Sequence, residues 1–286
     1  MGFVMRPHGK IEDQSVGVGW RVPHYRYVIE QRPPIAYFEI ISENFMREGG
    51  KPIHYLERLV EQYPVVQHGV SLNLGGPEEP DKRYLEALKR LVRRVQPQWV
   101  SDHVCWCAAH GAHSHELLPL PYTREAVARV ARRAKWVQDY LEVPLALENT
   151  SSYMAFTASE MTEWQFISEI TQQADCGLLL DINNVYVTSV NHKQDAQAFI
   201  RNVPHDRIVQ LHLAGHTDLG TYLLDTHNGA IIDPVWQLYR DVIRRAGPRP
   251  TLIEWDEDIP EFSRLQQLVE RTKEHGANAL SSGVPS

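Results

Sequence analysis

The chain has 286 residues, 43% of them hydrophobic and 23% charged, and its formal net charge is −7. This composition is typical of a globular protein with a large core, and the mild negative charge without a basic stripe argues against a nucleic-acid partner. Three cysteines without a C-x-x-C pair, together with the lack of an apolar leader or spanning segment, predict a cytoplasmic protein that is not inserted in a membrane.

The predicted elements alternate between short apolar strands and amphipathic helices. After a polar lead-in of about a dozen residues, the predicted strands are 16–21, 36–41, 65–70, 99–103, 144–149, 176–181, 208–214 and 250–255. The predicted helices are 24–30, 52–62, 82–95, 123–141, one opening at 159–160, 196–202, 233–246 and 260–275. Residues 106–116 are expected to form a His-rich loop, and 276–286 a frayed tail.

This order of elements gives eight strand–helix repeats, and the strands are too continuously apolar for a sheet with one wet face. We therefore predict an α/β fold, a (β/α)₈ TIM barrel, in a single domain that spans 1–286 with its core at about 16–275. A doubly wound open sheet is the alternative. It is disfavoured because no Gly-x-Gly-x-x-Gly turn follows the first strand.

Polar residues stand at or just beyond almost every predicted strand end, where TIM barrels carry their active sites. They are Glu43, Asn44, His68, Asp102, His103, Glu148, Asn149, Asp181, Asn183, Asn184, His212 and Glu254, and the loop after His212 adds Asp225 and His227. So many carboxylates at one barrel mouth repel each other unless cations are bound. Imidazole with carboxylate suits iron, manganese or zinc, and the number of candidate ligands favours two or three ions.

Each of these residues taken alone also has an ordinary structural explanation. Asp102 or Asn149 can cap or orient a neighbour, and Glu43 can support a ligand from behind. His216 follows the strand that carries His212 and is expected to face the substrate side or to support a ligand. Cys105 and Cys107 are expected to be packing residues.

Eight short segments together carry a resemblance to a known family. They are Ser42–Met46, Ser101–His103, Leu118–Thr123, Leu147–Asn149, Leu180–Tyr186, His212–His216, Asp225–His227 and Ile253–Asp256. Across about residues 16–268 the chain resembles the multinuclear non-haem iron-dependent oxidases. One departure is His115-Glu116, where many relatives have Asn-Asp before the Leu-Pro-Leu-Pro-Tyr run, which leaves the substrate-facing side and the subtype open.

The resemblance implies a xylose-isomerase-like TIM barrel that binds two or three irons in mixed Fe²⁺/Fe³⁺ states. It implies iron ligands at His68, His103, Glu148, Asp181, Asn184, His212, Asp225, His227 and Glu254. It also implies that Asp102, Glu43 and Asn149 support catalysis beside them. Asp225 and His227 would hold a peripheral iron together with Asn184.

The resemblance further implies an O₂-dependent oxidation of a cysteine in a ribosomally synthesised precursor peptide, with C–H activation at the cysteine β-carbon. Relatives make methanobactin and 3-thiaglutamate, usually beside a small partner protein that presents the peptide. The alternative enzyme class is a zinc or manganese isomerase or phosphodiesterase of the same barrel superfamily. No lysine stands at a strand end as such an isomerase would favour. A peptide-binding protein with only a structural metal is a third, weaker alternative.

Overall fold

A closed barrel of eight parallel strands forms the centre of the fold. The computed structural model describes residues 10–281, so the start of the predicted lead-in and the end of the predicted tail lie outside the described residues. In chain order the strands are β1 Val16–Gly19, β2 Phe38–Ile41, β3 Val65–His68, β4 Val100–His103, β5 Trp106–Ala109, β6 Ala112–Leu118, β7 Leu145–Glu148, β8 Gly177–Asp181, β9 Ile208–Leu213, β10 Thr217–Asp218, β11 Leu223–Leu224 and β12 Thr251–Ile253. The barrel order is β1-β2-β3-β4-β7-β8-β9-β12, closing on β1. The predicted TIM barrel is confirmed, and the open sheet is excluded.

A helix follows each barrel strand and covers the outside of the barrel. The helices are α1 Tyr25–Gln31, α2 Gly50–Val60, α3 Lys82–Val95, α4 Arg124–Leu141, α5 Glu163–Ala174, α6 Ile182–His192, α7 Ala196–Asn202, α8 Asp233–Ala246 and α9 Phe262–Ser281. In α3 the buried residues recur every three or four positions, which gives one apolar face toward the strands. Across residues 10–281, none of these helices has the length and apolar character needed to cross a membrane.

Two predictions about the connections are wrong. The segment 106–116 is not a loop, because β5 and β6 pair as an antiparallel hairpin with a register shift between Trp106 and Ala108. The segment after β8 contains α6, which was not predicted. Its Asn, Val and Thr residues have weak helix propensity, and the helix forms here because the Asp181 carboxylate accepts a hydrogen bond from Asn184 N at 2.6 Å.

Two helix boundaries also differ from the prediction. The helix expected to open at 159–160 begins at Glu163, because Thr162 and Gln165 form a capping box. The last helix does not end at 275 but continues to Ser281, so the predicted frayed tail is wrong for 276–281. Gly276 is tolerated inside that helix, where Tyr239 packs beside it.

Inward-facing side chains fill the barrel in two layers. The lower layer is apolar and consists of Tyr37, Val66, Trp99, Ala146, Leu179 and Leu252. Side chains along a strand alternate between its two faces, so a residue two positions further on points the same way. The residues two positions beyond this layer are polar and buried: Glu39, His68, Ser101, Glu148, Asp181 and Glu254. The barrel therefore delivers a polar upper layer at the carboxyl ends of its strands.

Candidate metal centre

Glu148, the last residue of β7, lies at the centre of the polar layer. Its Oε2 is 3.3 Å from Nε2 of His68 and 3.2 Å from Nε2 of His103. Its Oε1 is 3.4 Å from Nδ1 of His212, and that same nitrogen is 2.8 Å from Oε2 of Glu254. Three imidazoles from separate places in the sequence thus converge on one carboxylate because parallel strands end at one face of the barrel.

Glu148 and several residues near it have buried polar atoms that form no hydrogen bond with the described part of the protein. Buried atoms without a hydrogen-bond partner among the described residues include both carboxylate oxygens of Glu148, Oδ2 of Asp181, Oδ1 of Asn184 and Nε2 of His227. Each such atom costs about 1–3 kcal/mol. The short contacts of Glu148 with the imidazoles lack hydrogen-bond geometry, as expected for groups that aim at a shared cation rather than at each other.

Within residues 10–281, three overlapping groups of side chains bring their ligand atoms within 4.8 Å of one another. They are His68 with His103 and Glu148; Glu148 with Asp181, His212 and Glu254; and His227 with Glu254 and Asp256. Imidazole and carboxylate in this mixture form a donor set for a borderline transition metal. The chemistry of the site therefore fits bound metal ions.

The buried carboxylates differ in how readily they ionise. Burial raises the pKa of Glu148 to about 7, against the attraction of His212. Burial also holds the pKa of Asp181 well above its usual range. Both groups therefore gain a large electrostatic stabilisation when a cation arrives.

The three imidazoles around Glu148 differ in the direction of their pKa shifts. Burial lowers the pKa of His103 to about 4 and that of His68 well below its ordinary value, so both rings are neutral, the form that binds a metal. Burial alone would also lower the pKa of His212, but the carboxylates of Glu39, Glu254 and Glu148 hold it well above its ordinary value. Positive charge is strongly favoured at that position.

The loop between β9 and α8 brings a further pair of donors to the rim. Nε2 of His227 is 2.8 Å from Oδ1 of Asp225 and 4.0 Å from Oδ2 of Asp181, while its Nδ1 is 3.2 Å from Oε2 of Glu254. His227 has a φ of 46°, a left-handed conformation that is uncommon for a residue with a Cβ. The loop thus joins the central cluster through His227.

Two of the predicted supporting residues are held in place by hydrogen bonds to the backbone. Asp102 accepts from the backbone N–H of His103 at 2.7 Å and from that of Leu72 at 3.1 Å. Asn149 accepts from the N–H of Asp181 and donates to its carbonyl, both at 2.9 Å. These bonds fix the ends of β4 and β8, and with them the side chains of His103 and Asp181.

Glu43, the third predicted supporting residue, lies further from the cluster. Its Oε1 accepts from the N–H of Val70 at 2.9 Å and from the hydroxyl of Tyr84 at 2.7 Å, while its buried Oε2 has no partner among the described residues. His216 lies on the opposite side, with Nδ1 2.7 Å from Oδ1 of Asn183. Contacts between side chains thus bring together eight of the nine predicted ligands, while the side chain of Asn184 donates to the carbonyl of Asn149. The roles of all nine in coordination stay predictions.

Sequence reasoning missed Glu39, which lies inside the barrel on β2. Its Oε2 accepts from Nε2 of Gln210 at 2.7 Å and lies 3.2 Å from Nε2 of His212. The search for polar residues was confined to strand ends, and Glu39 stands in the strand itself. The signal that could have found it is its position two residues after Tyr37, on the same face of β2.

Sequence reasoning also left two charged residues of the mouth unassigned. Asp256 has Oδ2 3.2 Å from Nδ1 of His227, and it pairs through Oδ1 with Arg21. The Arg21 guanidinium lies over Gly19, where a Cβ would approach it to 2.8 Å. Glycine in β1 therefore makes room for the arginine, whose Nη2 is also 3.8 Å from Glu254.

The fold and the site together define a xylose isomerase-like TIM barrel whose mouth holds a buried cluster of His, Asp and Glu with the arrangement of metal ligands. Residues 15–276 match the family model of the RiPP precursor modification enzyme MbnB/TglH/ChrH. The chain belongs to this family of enzymes that modify RiPP precursors. The match confirms the family that the sequence motifs indicated.

Proteins of high similarity cover almost the same length. A UPF0276 protein of Anaeromyxobacter sp. (strain Fw109-5) is 48% identical over 266 residues, which cover 93% of this chain and 94% of the relative. A UPF0276 protein of Caulobacter vibrioides (strain NA1000 / CB15N) is 47% identical over 250 residues, covering 87% and 89%.

Solved structures with the same architecture are distant in sequence. Endonuclease IV from Thermus thermophilus superposes with a TM-score of 0.61 at 15% identity, covering 91% of this chain and 99% of that one. The IolI protein with a bound zinc atom gives a TM-score of 0.56 at 12% identity, covering 95% and 100%. At this identity the two structures show that the fold is shared.

Proposed function

We propose that this protein is an iron-dependent oxidase that uses O₂ to modify a cysteine residue of a ribosomally synthesised precursor peptide. The observation that carries the proposal is the unpaired carboxylate of Glu148, buried between His68, His103 and His212. The chain's membership of a family that modifies RiPP precursors supports a peptide as the substrate.

Two or three ions in mixed Fe²⁺/Fe³⁺ states suit this donor set better than one. Glu148 belongs to two of the three ligand groups and Glu254 also to two, so each would be placed to hold more than one ion. The nine proposed ligands are His68, His103, Glu148, Asp181, Asn184, His212, Asp225, His227 and Glu254. Iron bound there would supply a redox-active Lewis acid for O₂ and for a substrate thiolate.

The protein's own residues prepare the site in three ways. Asp102 and Asn149 fix the backbone from which His103 and Asp181 extend, so the donors are held before an ion arrives. The apolar layer beneath Glu148 closes the barrel to water from below. We propose that Glu43 supports the ligands indirectly, because its carboxylate binds the backbone of the segment that contains Val70.

The protein's own cysteines are unsuited to be the group that reacts. Cys105 and Cys107 are buried, and burial raises the pKa of Cys105 well above its ordinary value and that of Cys107 to about 11. Both are therefore neutral thiols, which bind metals poorly. This supports a cysteine from another molecule as the substrate. Three unpaired cysteines also support the proposed cytoplasmic setting.

Exposed apolar residues beside the mouth support a peptide and a small partner protein as binding partners. Met154 is 49% exposed, Leu219 is 47%, and Tyr153 and Tyr222 are each 45%. The rings of Tyr153 and Tyr222 lie 6.3 Å apart, and the Tyr153 hydroxyl accepts a hydrogen bond from the backbone of Asp225. The patch is thus attached to the loop that carries His227.

Metal analysis of anaerobically purified protein tests the proposal. Iron near two or three ions per chain, lost together with O₂ consumption on a Cys-containing peptide in Glu148→Ala and His212→Ala, is the expected result. Full turnover in either variant contradicts the assignment. Zinc or manganese alone, with no use of O₂, supports an isomerase or phosphodiesterase of the same barrel superfamily. A short Cys-containing reading frame beside the gene would supply the peptide to assay.

A further inference from the structure

A separate cavity of about 420 Å³ opens beside the metal centre. The segment after β7, the start of α5 and parts of α6 and α7 form its walls. Aromatic and thioether side chains dominate the lining: Tyr122, Met154, Phe156, Met161 and Trp164. A cavity of this size is large enough for one long side chain or a small ligand.

Two acidic residues and one histidine, His192, line the cavity. Glu163, the first residue of α5, and Asp195, the residue before α7, both line it, and no lysine or arginine from residues 10–281 does. Burial raises the pKa of Glu163 to about 8, with only the hydrogen bond from the Tyr122 hydroxyl acting in the opposite direction. Asp195 forms an ion pair with Arg201 outside the cavity. Glu163 is therefore the acidic residue that a bound ligand would contact.

Two segments of the chain, α6 and the residues after β7, run from the metal centre to the cavity. The hydroxyl of Thr188 accepts from the backbone N–H of Ser152 at 3.0 Å, and both residues line the cavity. Thr188 stands one helical turn beyond Asn184 on α6, a rise of roughly 6 Å. Ser152 stands three residues beyond Asn149. Helix α6 and the segment after β7 therefore each contribute residues both to the metal centre and to the cavity.

We propose that the cavity binds the cationic side chain of a lysine or an arginine that lies near the modified cysteine in the precursor peptide. Aromatic faces attract a cation, and the carboxylate of Glu163 pairs with its charge. The aliphatic stem of the side chain packs against Met154 and Met161. The net charge of −7 also favours the binding of a cationic peptide segment. The identity of the ligand as a peptide rests on the proposed function, whereas its cationic chemistry rests on the cavity alone.

Binding of two matched probes to the full-length, metal-loaded protein tests the proposal. The probes are Nα-acetyl-lysine methylamide and its neutral norleucine counterpart, followed by NMR or by Trp164 fluorescence. The lysine probe is expected to bind at least about tenfold more tightly. Glu163→Gln is expected to remove this preference, while Glu160→Gln, at an exposed glutamate outside the cavity, retains it. Equal binding of the two probes, or a preference that survives in Glu163→Gln, overturns the proposal.

The pH dependence gives a second measurement that needs no variant. The titratable groups facing Glu163 across the cavity are Tyr122, His192 and Asp195. A cation requires the ionised carboxylate, so affinity for the lysine probe rises with pH up to about 8 and then levels, whereas the norleucine probe shows no such rise. A flat profile for lysine overturns the proposal. Metal content is expected to be the same in wild type and Glu163→Gln, so failure of the iron assignment is detected separately.

Discussion

Glu39 holds the side of His212 that faces away from the metal centre: its Oε2 lies 3.2 Å from Nε2, while Nδ1 faces Glu254 at 2.8 Å. Gln210 donates to the same Glu39 oxygen at 2.7 Å and accepts from the indole N–H of Trp99 at 2.6 Å. A carboxylate on one ring nitrogen fixes both the orientation of the ring and the tautomer. The network therefore leaves Nδ1 as the nitrogen of His212 that is available to a metal.

Glu39→Gln is expected to weaken metal binding about 10- to 100-fold without removing a ligand, because it takes away the charge that orients His212. Competition with a chelator of known affinity measures the effect, and the metal-free variant should keep the wild-type circular dichroism spectrum. Glu86→Gln, at an exposed helix position, is the matched control. Unchanged affinity in Glu39→Gln would show that the network does not act on the metal.

Glu148→Gln is expected to lower metal content and at the same time to stabilise the metal-free protein. The pKa of Glu148 is about 7 in the fold and 4.5 as its ordinary value. Folding therefore disfavours ionisation, and the metal-free wild type loses stability as the pH rises from about 4.5 to about 7, a loss that glutamine avoids.

Thermal unfolding of both metal-free proteins measures this difference. The melting temperatures should nearly coincide at pH 5, and Glu148→Gln should be the more stable at pH 8. A variant that is less stable than wild type at pH 8 would show that Glu148 serves the fold rather than the metal.

The sequence predicted the barrel because every barrel strand is short, apolar and followed by an amphipathic helix. It predicted most of the cluster because the carboxyl ends of parallel strands meet, so that His68, Glu148 and Asp181 could be grouped without coordinates. The hairpin β5–β6 was missed because β6 is largely exposed and carries no apolar alternation. Helix α6 was missed because a side-chain cap, rather than propensity, starts it.

Three residues of the site were not predicted from the sequence for a different reason. Glu39 is buried in mid-strand, where a carboxylate is rare unless it has partners, and its partners Gln210 and His212 both come from β9. Asp256 and Arg21 pair across 235 positions in the sequence. Contacts of this kind depend on the closure of the barrel, which local patterns do not encode.

His227→Ala is expected to remove about one metal ion per chain and to leave the others in place. His227 belongs only to the outer ligand group, with Glu254 and Asp256, and it meets Asp225 on the same loop. Iron per chain measured by plasma emission spectroscopy tests this, with the exposed His54→Ala as the matched control. Loss of all the iron, or of none, would contradict a separate peripheral position.

Gly215→Ala is expected to cause the same loss of metal as predicted for His227→Ala, although no ligand is removed. A Cβ on Gly215 would lie 2.0 Å from the backbone oxygen of Asn228, so the loop that carries His227 must move away. Backbone cannot yield as a flexible side chain does, and the cost is on the order of 1–3 kcal/mol. Thr221→Ala, at an exposed position of the same loop, should retain both metal and stability. If Gly215→Ala binds as much iron as wild type, the packing of the loop against Gly215 does not position His227.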